Sequence, residues 1–456
     1  MLADQTSEGT VAAPISALGA RIQKLSQLTR KFIPMLMLVA SRGSAVLAQF
    51  AAQLVVGTMA GAGALGALQL FTSWTCIAGE ALGLGLPTRA MRQVSIHYEQ
   101  QQRQHILQTL RESRRKIIHL WLALVLLACV PAIFLVRGED TSNWTQTSWL
   151  LIGAALAAPL FSLLKLYAES LKATGAALAA VTLESITSPL ALLLVCGYCW
   201  LVGHTVVTFT LIITFGLSLV ITPAALMHRL KHQLAALPKL APPNTLDMPK
   251  VERGDLFYLW GSGLLSIGFL HLPFVVMPLY VDTAQIGVFA VAHKFINVIT
   301  TLLLLLAAVF SPSFARFAAQ GNSAALLGLL RRTQLISTAV FLPVTLLLIA
   351  LADPLAGLFG EDFGNLQNYM LILAAGHLVN ALTGLSSVLM NMAGAASKEL
   401  ATLIIAMVAA LAGSAWVGPE YGATGLAIVF SSCIALKNIA SYLLVLNLLK
   451  SKREQP

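Results

Sequence analysis

The stretch TVVTFTLIITFGLSLVITPAALM, residues 205–227, contains no charged side chain, and its reading decides the fold class. As a helix rising about 1.5 Å per residue it reaches about 34 Å, enough to cross a hydrocarbon core of about 30 Å. The text that follows, HRLKHQLAALPKLAPPNTLDMPKVERGD at 228–255, is basic, polar and proline-rich, and beyond it the apolar text resumes. Working outward, the same alternation predicts spans near 32–57, 63–88, 117–136, 148–171, 174–202 and 205–227, then 256–280, 285–312, 333–352, 365–391, 399–417 and 422–449. Only 11% of the 456 residues are charged and 57% are hydrophobic. A typical soluble domain has about 25% charged residues, so this chain lacks the means to cover a water-facing surface. The fold class expected is all-α: a polytopic membrane protein of about twelve transmembrane helices.

The formal charge of +10 invites a nucleic-acid reading, which the placement of the charge excludes. Of 29 Lys and Arg residues, 24 fall in one alternate set of breaks, only Arg137 falls in the other, and Arg42, Lys165, Lys294 and Lys437 lie inside apolar spans. The positive-inside bias puts both termini and the basic breaks in the cytoplasm. The opposite breaks carry acids instead, among them Glu139, Asp140, Asp282, Asp353, Glu361, Asp362 and Glu420. All five cysteines fall within spans, and the pair Cys196 and Cys199 lacks the His or second Cys pair that metal work needs. Asn143-Trp144-Thr145 forms a glycosylation triplet of a kind common by chance. Ile15, Leu18, Ile22, Leu25 and Leu28 mark one apolar helical face with basic residues around it, predicting an in-plane anchor that leads into the first span.

Pro238, Pro242, Pro243 and Pro249 make 228–254 the single candidate boundary. The organisation expected is a cytoplasmic amphipathic segment at 1–31, a six-helix bundle at 32–227, a cytoplasmic linker at 228–254, a second bundle at 255–449 and a tail at 450–456. The halves align at a nearly constant offset. Gly66 matches Gly287, Arg114-Arg115 match Arg331-Arg332, and Gly175-Ala176-Ala177 match Gly394-Ala395-Ala396. Six spans per half start both halves on the same side, which predicts a parallel repeat about an axis along the membrane normal.

A charge at mid-bilayer costs about 2.5–3.5 kcal/mol even on the gentlest scale, so function is sought among the few intramembrane charges. Arg42, Lys294 and Lys437 have no acid three or four positions away on their own helix. They need water, a partner helix or an anionic ligand. Span ten carries His377, Asn380, Gly384, Ser387 and Asn391 at helical spacing, and similar stripes hold Arg42, Gln49 and Gln53; Gln69, Ser73, Cys76 and Glu80; and Lys294, Asn297 and Thr301. These stripes predict a water-accessible cavity. The candidate substrate-binding set is Arg42, Lys294, Lys437, Asn297, Asn380 and Asn391, and the candidate ion-coupling set is Glu80, Glu184 and His377. Blander readings stand beside these: Lys165 and Glu169 neutralising each other four residues apart, Glu80 clasping a neighbouring cation, His377 and the asparagines as interhelical glue, and Pro131 and Pro343 as hinges or tolerated breaks.

The segments SRGSAVLAQF (41–50), LGLGLPTRAMR (82–92), GVFAVAHKF (287–295), SPSFARF (311–317), LFGEDF (358–363) and LMNMAGAASKEL (389–400) give the chain a pattern that resembles the polysaccharide flippases of the multidrug and oligosaccharidyl-lipid exporter superfamily, including O-antigen translocases. The resemblance implies two six-helix bundles in a V, alternating access, no cofactor, and a polyprenyl-pyrophosphate-linked oligosaccharide as substrate. It further implies residence in a bacterial inner membrane, with membrane lipids and other polysaccharide-assembly proteins as partners. A cationic cavity suits a pyrophosphate. An ion-coupled antiporter for drugs or organic cations would use Glu80 and Glu184 instead, yet span one holds Arg42 and no acid. A membrane glycan polymerase or glycosyltransferase would need a sizeable catalytic loop, and the outer breaks are short.

Overall fold

The computed structural model describes residues 12–136, 146–238 and 253–451. Its regular elements are helices: α1 (Ala12–Gly83), α2 (Leu86–Glu99), α3 (Arg103–Val136), α4 (Gln146–Ala173), α5 (Ala177–Val202), α6 (Thr208–Ala235), α7 (Arg253–Val276), α8 (Thr283–Ala319), α9 (Ser323–Ala350), α10 (Ala352–Phe359), α11 (Leu366–Thr383), α12 (Ser386–Met392) and α13 (Ala396–Ser451). Among the described residues seven helices are long and apolar enough to cross a membrane, or eight when the bent pair formed by 361–383 and 386–392 counts as one.

Two of the seven are too long for one crossing. Ala40–Gly83 has 44 residues and Ala396–Ser451 has 56, which would give straight rods of about 66 and 84 Å. Each contains one glycine outside helical geometry, Gly61 (φ 79, ψ 175) and Gly422 (φ 52, ψ −140). Positive φ is open to glycine at no steric cost, and the chain reverses there. In α13 the reversal brings Ser441 to within hydrogen-bond reach of Glu399, 2.8 Å. In α1 it lays the Leu65 side chain beside Gly57. The proposed proline hinges fare differently. The backbone of α9 stays helical through Pro343, and α3 continues past position 131. The breaks fall at glycines because a proline costs one hydrogen bond and a local clash, which neighbouring helices absorb, whereas positive φ ends the helical ladder.

Other boundaries shift as well. Span two stops at Gly83, earlier than the residue 88 expected, and after Leu84 and Gly85 at positive φ the chain enters α2. Pro87 sits in the first turn of α2, and Leu86, Ala90, Val94 and His97 form its buried face. The basic break between spans two and three is therefore partly a packed amphipathic helix. Helix α6 runs to Ala235, eight residues into the segment expected to be linker. The backbone of α1 is helical from Ala12 onward and continuous with the first span. Residues 1–11, the triplet at 143–145, linker residues 239–252 and tail residues 452–456 lie outside the described residues.

The core places the early and late parts of the chain directly against each other. Trp74 donates its indole N–H to the Phe274 carbonyl at 3.0 Å, and Trp260 donates to the Ala81 carbonyl at 2.9 Å. Phe50 packs on Phe295 with ring centroids 5.0 Å apart. Where the arm of α1 after Gly61 crosses the start of α8, Gly66 and Gly287 leave no room for a side chain. Small residues at such crossings let backbones approach, as membrane helices require when burial of apolar surface gives no drive to associate. Phe359 caps the same region, lying over Gly57 and packing on Phe363 at 4.8 Å. The contacts of Gly66, Gly287 and Phe359 join early and late helices near the Gly61 turn, and the Trp260 to Ala81 hydrogen bond joins them at the other end of the same arm.

Candidate functional site

Two large cavities flank the seam between the early and late helices. The first, about 600 Å³, is walled by α1, α4, α5 and α6 with α7 and α8 completing it. Arg42, Gln49 and Gln53 of the first span face it together, as their spacing predicts, and so do Lys165, Glu184 and Lys294. Gly175, at φ 83, reverses the chain between α4 and α5, and this hairpin carries Glu184 to Lys165. Their N–O distance is 2.6 Å. Lys172, expected in a loop, occupies the last turn of α4 and contacts Glu169 at 2.8 Å and Glu184 at 3.2 Å. The expected Lys165–Glu169 pairing is thus replaced by a four-residue network across two helices. Glu184, a candidate coupling site, is occupied by two ammonium groups.

Arg42 and Lys294 stand outside that network. Among the described residues neither makes a hydrogen bond or an ion pair, and both face the first cavity. Nearby, Gln69 donates to the Ser73 hydroxyl at 2.9 Å, and His271 shares a hydrogen bond with the same hydroxyl at 2.9 Å. This chain of polar side chains joins α1 to α7. A small space of about 110 Å³, lined by Gln49, Gln53, Lys294 and Asn297, lies between the two large cavities. Lys294 therefore stands where they approach each other.

The second cavity, about 560 Å³, is walled by α7, α8, α11, α12 and α13. His377, Asn380, Gly384, Ser387 and Asn391 all line it, so the stripe on span ten survives the break that separates α11 from α12. That break bends the span by 45° at Gly384, whose φ of 63 places it in the left-handed region, tight against the backbone of Gln334. Asn297 lies 2.9 Å from the His293 ring. His377 is 6% exposed, and among the described residues its Nδ1 has no hydrogen-bond partner.

Lys437 lines this cavity without being a free cation. Glu399 forms an ion pair with it, Ser387 accepts a hydrogen bond from it at 2.8 Å, and Ser441 donates to the other Glu399 oxygen at 2.8 Å. Of the three possibilities the sequence leaves open for Lys437, water, a partner helix or an anionic ligand, a partner helix is present: Glu399 lies 38 residues away, across the Gly422 turn. Glu80 departs further, lining neither cavity. Its carboxylate lies against the backbone of Gly263 on α7, and among the described residues no cation pairs with it. Cys196 and Cys199 are buried free thiols on α5. The side chains of Cys129, Pro131 and Thr301 lie outside the described residues.

The residues missed from the sequence are Glu399, the first residue of an expected span, and Lys172, one residue beyond another, both at helix ends. Hydropathy windows discard such positions, and only the tertiary pairing shows their role. The cavities consequently differ in charge. The first carries Arg42, Lys165 and Lys294 against Glu184, a net positive lining, whereas in the second Lys437 and Glu399 cancel.

No family model matches the sequence, and neither does any curated protein at a significant level. Solved structures do match. One described as the inward-facing conformation of a multidrug resistance MATE family transporter of the MOP superfamily aligns with 92% of this chain and 99% of its own at 15% identity, with a TM-score of 0.70. The lipid II flippase MurJ in an inward closed conformation covers 91% of this chain and 87% of its own at 14% identity, with a TM-score of 0.65. An outward-facing conformation of a multidrug resistance MATE family transporter covers 93% and 95% at 15% identity, with a TM-score of 0.61. The chain has the fold these MOP superfamily transporters share.

Proposed function

We propose that this chain is an alternating-access transporter that moves an anionic, lipid-linked glycan, a polyprenyl-pyrophosphate-linked oligosaccharide, from the cytoplasmic to the outer leaflet of a bacterial inner membrane. The observation that carries the reading is the pair Arg42 and Lys294, two cations facing one cavity with no counter-charge of their own among the described residues. A charge held at such depth without a partner is costly, and an anionic ligand would supply the missing half of the interaction. The neutral second cavity, with Asn380, Asn391, Ser387 and His377, offers amide, hydroxyl and ring groups of the kind that hydrogen-bond sugar hydroxyls. The reading takes α1 and α13 as two spans each, divided at their glycines, α11 with α12 as one, and α3 and α8 as spans, beside the seven or eight that length and composition support among the described residues. In this reading the end that holds Gly61 and Phe359 is the outer face and the basic breaks face the cytoplasm.

The test is export of the glycan by variants of normal membrane abundance. Lys294→Ala and Arg42→Ala are expected to lower it and Lys294→Arg to retain part of it, while a deletion strain accumulates lipid-linked sugar on the inner leaflet. Wild-type export by both alanine variants would overturn the assignment. A second reading, an ion-coupled antiporter for drugs or organic cations, is favoured by one observation, the Glu184 carboxylate in the first cavity. Its two lysine partners oppose it. A deletion strain hypersensitive to cationic drugs but normal in glycan export would select that second reading.

A further inference from the structure

Apart from the two central cavities, a concavity of about 350 Å³ opens among α3, α4 and α6 at the end of the molecule that carries the basic breaks. That size is within the range of small-molecule sites, roughly 300–1,000 Å³. Its polar lining is Arg111, Arg114, Lys231 and Tyr167, its walls include Leu110 and Met227, and no carboxylate lines it. Arg111 and Arg114 are three residues apart on α3 and so share one face. Lys231 enters from α6 and Tyr167 from α4, with the Arg114 guanidinium beside the Tyr167 hydroxyl.

Topology alone requires positive charge in this region, in any direction. Arg115 and Lys116, which are exposed as Arg111, Arg114 and Lys231 also are, satisfy that requirement while lining no part of the concavity. Three cations from two helices converging on one apolar-walled recess are a different matter. Basic pockets between membrane helices at the cytoplasmic side hold lipid headgroups. We infer that this pocket binds an anionic phospholipid, its phosphate held by Arg111, Arg114 and Lys231 and its glycerol and first acyl carbons lying against Leu110 and Met227. Inorganic phosphate shares the charge but would leave those apolar walls wet, which favours the lipid. The site is separate from the cavities of the transport reading and stands whether or not that reading does.

The experiment uses the purified full-length chain in detergent, measuring retention of added phosphatidylglycerol and of phosphatidylcholine by native mass spectrometry, with inorganic phosphate and phosphatidylglycerol compared separately for thermal protection. Wild type is expected to retain phosphatidylglycerol in preference. The triple variant Arg111→Ala, Arg114→Ala, Lys231→Ala is expected to retain roughly tenfold less, the consequence of losing charge-assisted hydrogen bonds. Arg115→Ala with Lys116→Ala is expected to match wild type. Should the triple variant fail to purify as a single species, Lys231→Ala alone is read in the same way, with a smaller drop expected. Undiminished retention in the lining variants, an equal loss in the Arg115 and Lys116 control, no preference between the two lipids, or protection by inorganic phosphate equal to that by phosphatidylglycerol would each overturn the proposal.

Discussion

Gly66 and Gly287 meet backbone to backbone, and they do so reciprocally. A Cβ on Gly66 would overlap the carbonyl oxygen of Thr283, and a Cβ on Gly287 would overlap the carbonyl oxygen of Ala62. Thr283 precedes Gly287 by the same four positions that separate Ala62 from Gly66. These two glycines are also the positions that the internal sequence repeat aligns. A contact that maps onto itself when the halves are exchanged is what two-fold related bundles would produce at their shared axis.

The crossing yields a stability prediction. Carbonyl oxygens of a helix cannot rotate aside as a flexible side chain can, so Gly66→Ala and Gly287→Ala should each destabilise the protein by about 1–3 kcal/mol, the usual cost of overpacking. Gly197→Ala and Gly216→Ala lie in helices with open space around the new methyl. Those should be neutral or stabilising, since alanine is the better helix former. Unfolding midpoints of the four purified variants check both statements.

Glu184 offers an asymmetric pair of substitutions. It pairs with Lys165 and Lys172 at once, and Lys172 also holds Glu169, so Glu184→Gln strands the Lys165 ammonium where Lys165→Met strands none. Glu184→Gln should cost about 2 kcal/mol, the worth of hydrogen bonds to a charged group, and Lys165→Met distinctly less because Lys172 remains. Thermal unfolding of the two variants and their double mutant tests the order. Equal effects would mean that the network carries no shared charge.

What could be read from the sequence divides along a physical line. Helical periodicity is local, so the stripe of His377, Asn380, Gly384, Ser387 and Asn391 and the set Arg42, Gln49 and Gln53 identified cavity-facing sides correctly. Charge partners are not local. Lys165 reaches Glu184 and Lys437 reaches Glu399 through hairpins whose helix rotations are set by packing. From the spacing alone Lys437 was indistinguishable from Lys294, although one is paired and the other is not. Helix α2 was missed for another reason. Its buried positions Leu86, Ala90, Val94 and His97 have helical spacing, but a search for long apolar runs passes over a 14-residue amphipathic segment.

The Lys437–Glu399 pair can be tested for a structural role by a double-mutant cycle. Lys437→Met leaves a mostly buried carboxylate unpaired, and Glu399→Leu leaves an ammonium, so each single change should be destabilising, whereas the double variant should recover much of the loss. On the proposed function, glycan export should follow stability across the cycle. A double variant that regains its unfolding midpoint but not its export would show that Lys437 also contacts the transported molecule.

His377 makes the sharpest separation of stability from function. Its Nδ1 is buried on the wall of the second cavity with no partner among the described residues, and a polar atom left so costs free energy that an apolar replacement of similar volume does not. His377→Leu should therefore hold or raise the unfolding midpoint. If the ring exists to meet a ligand hydroxyl, the same substitution should lower export, and His377→Asn, which keeps a hydrogen-bonding group facing the cavity, should lower it less. Midpoint and export measured on the same preparations decide the matter. A leucine variant that is both less stable and inactive would return His377 to the role of helix packing, with its nitrogen satisfied by water.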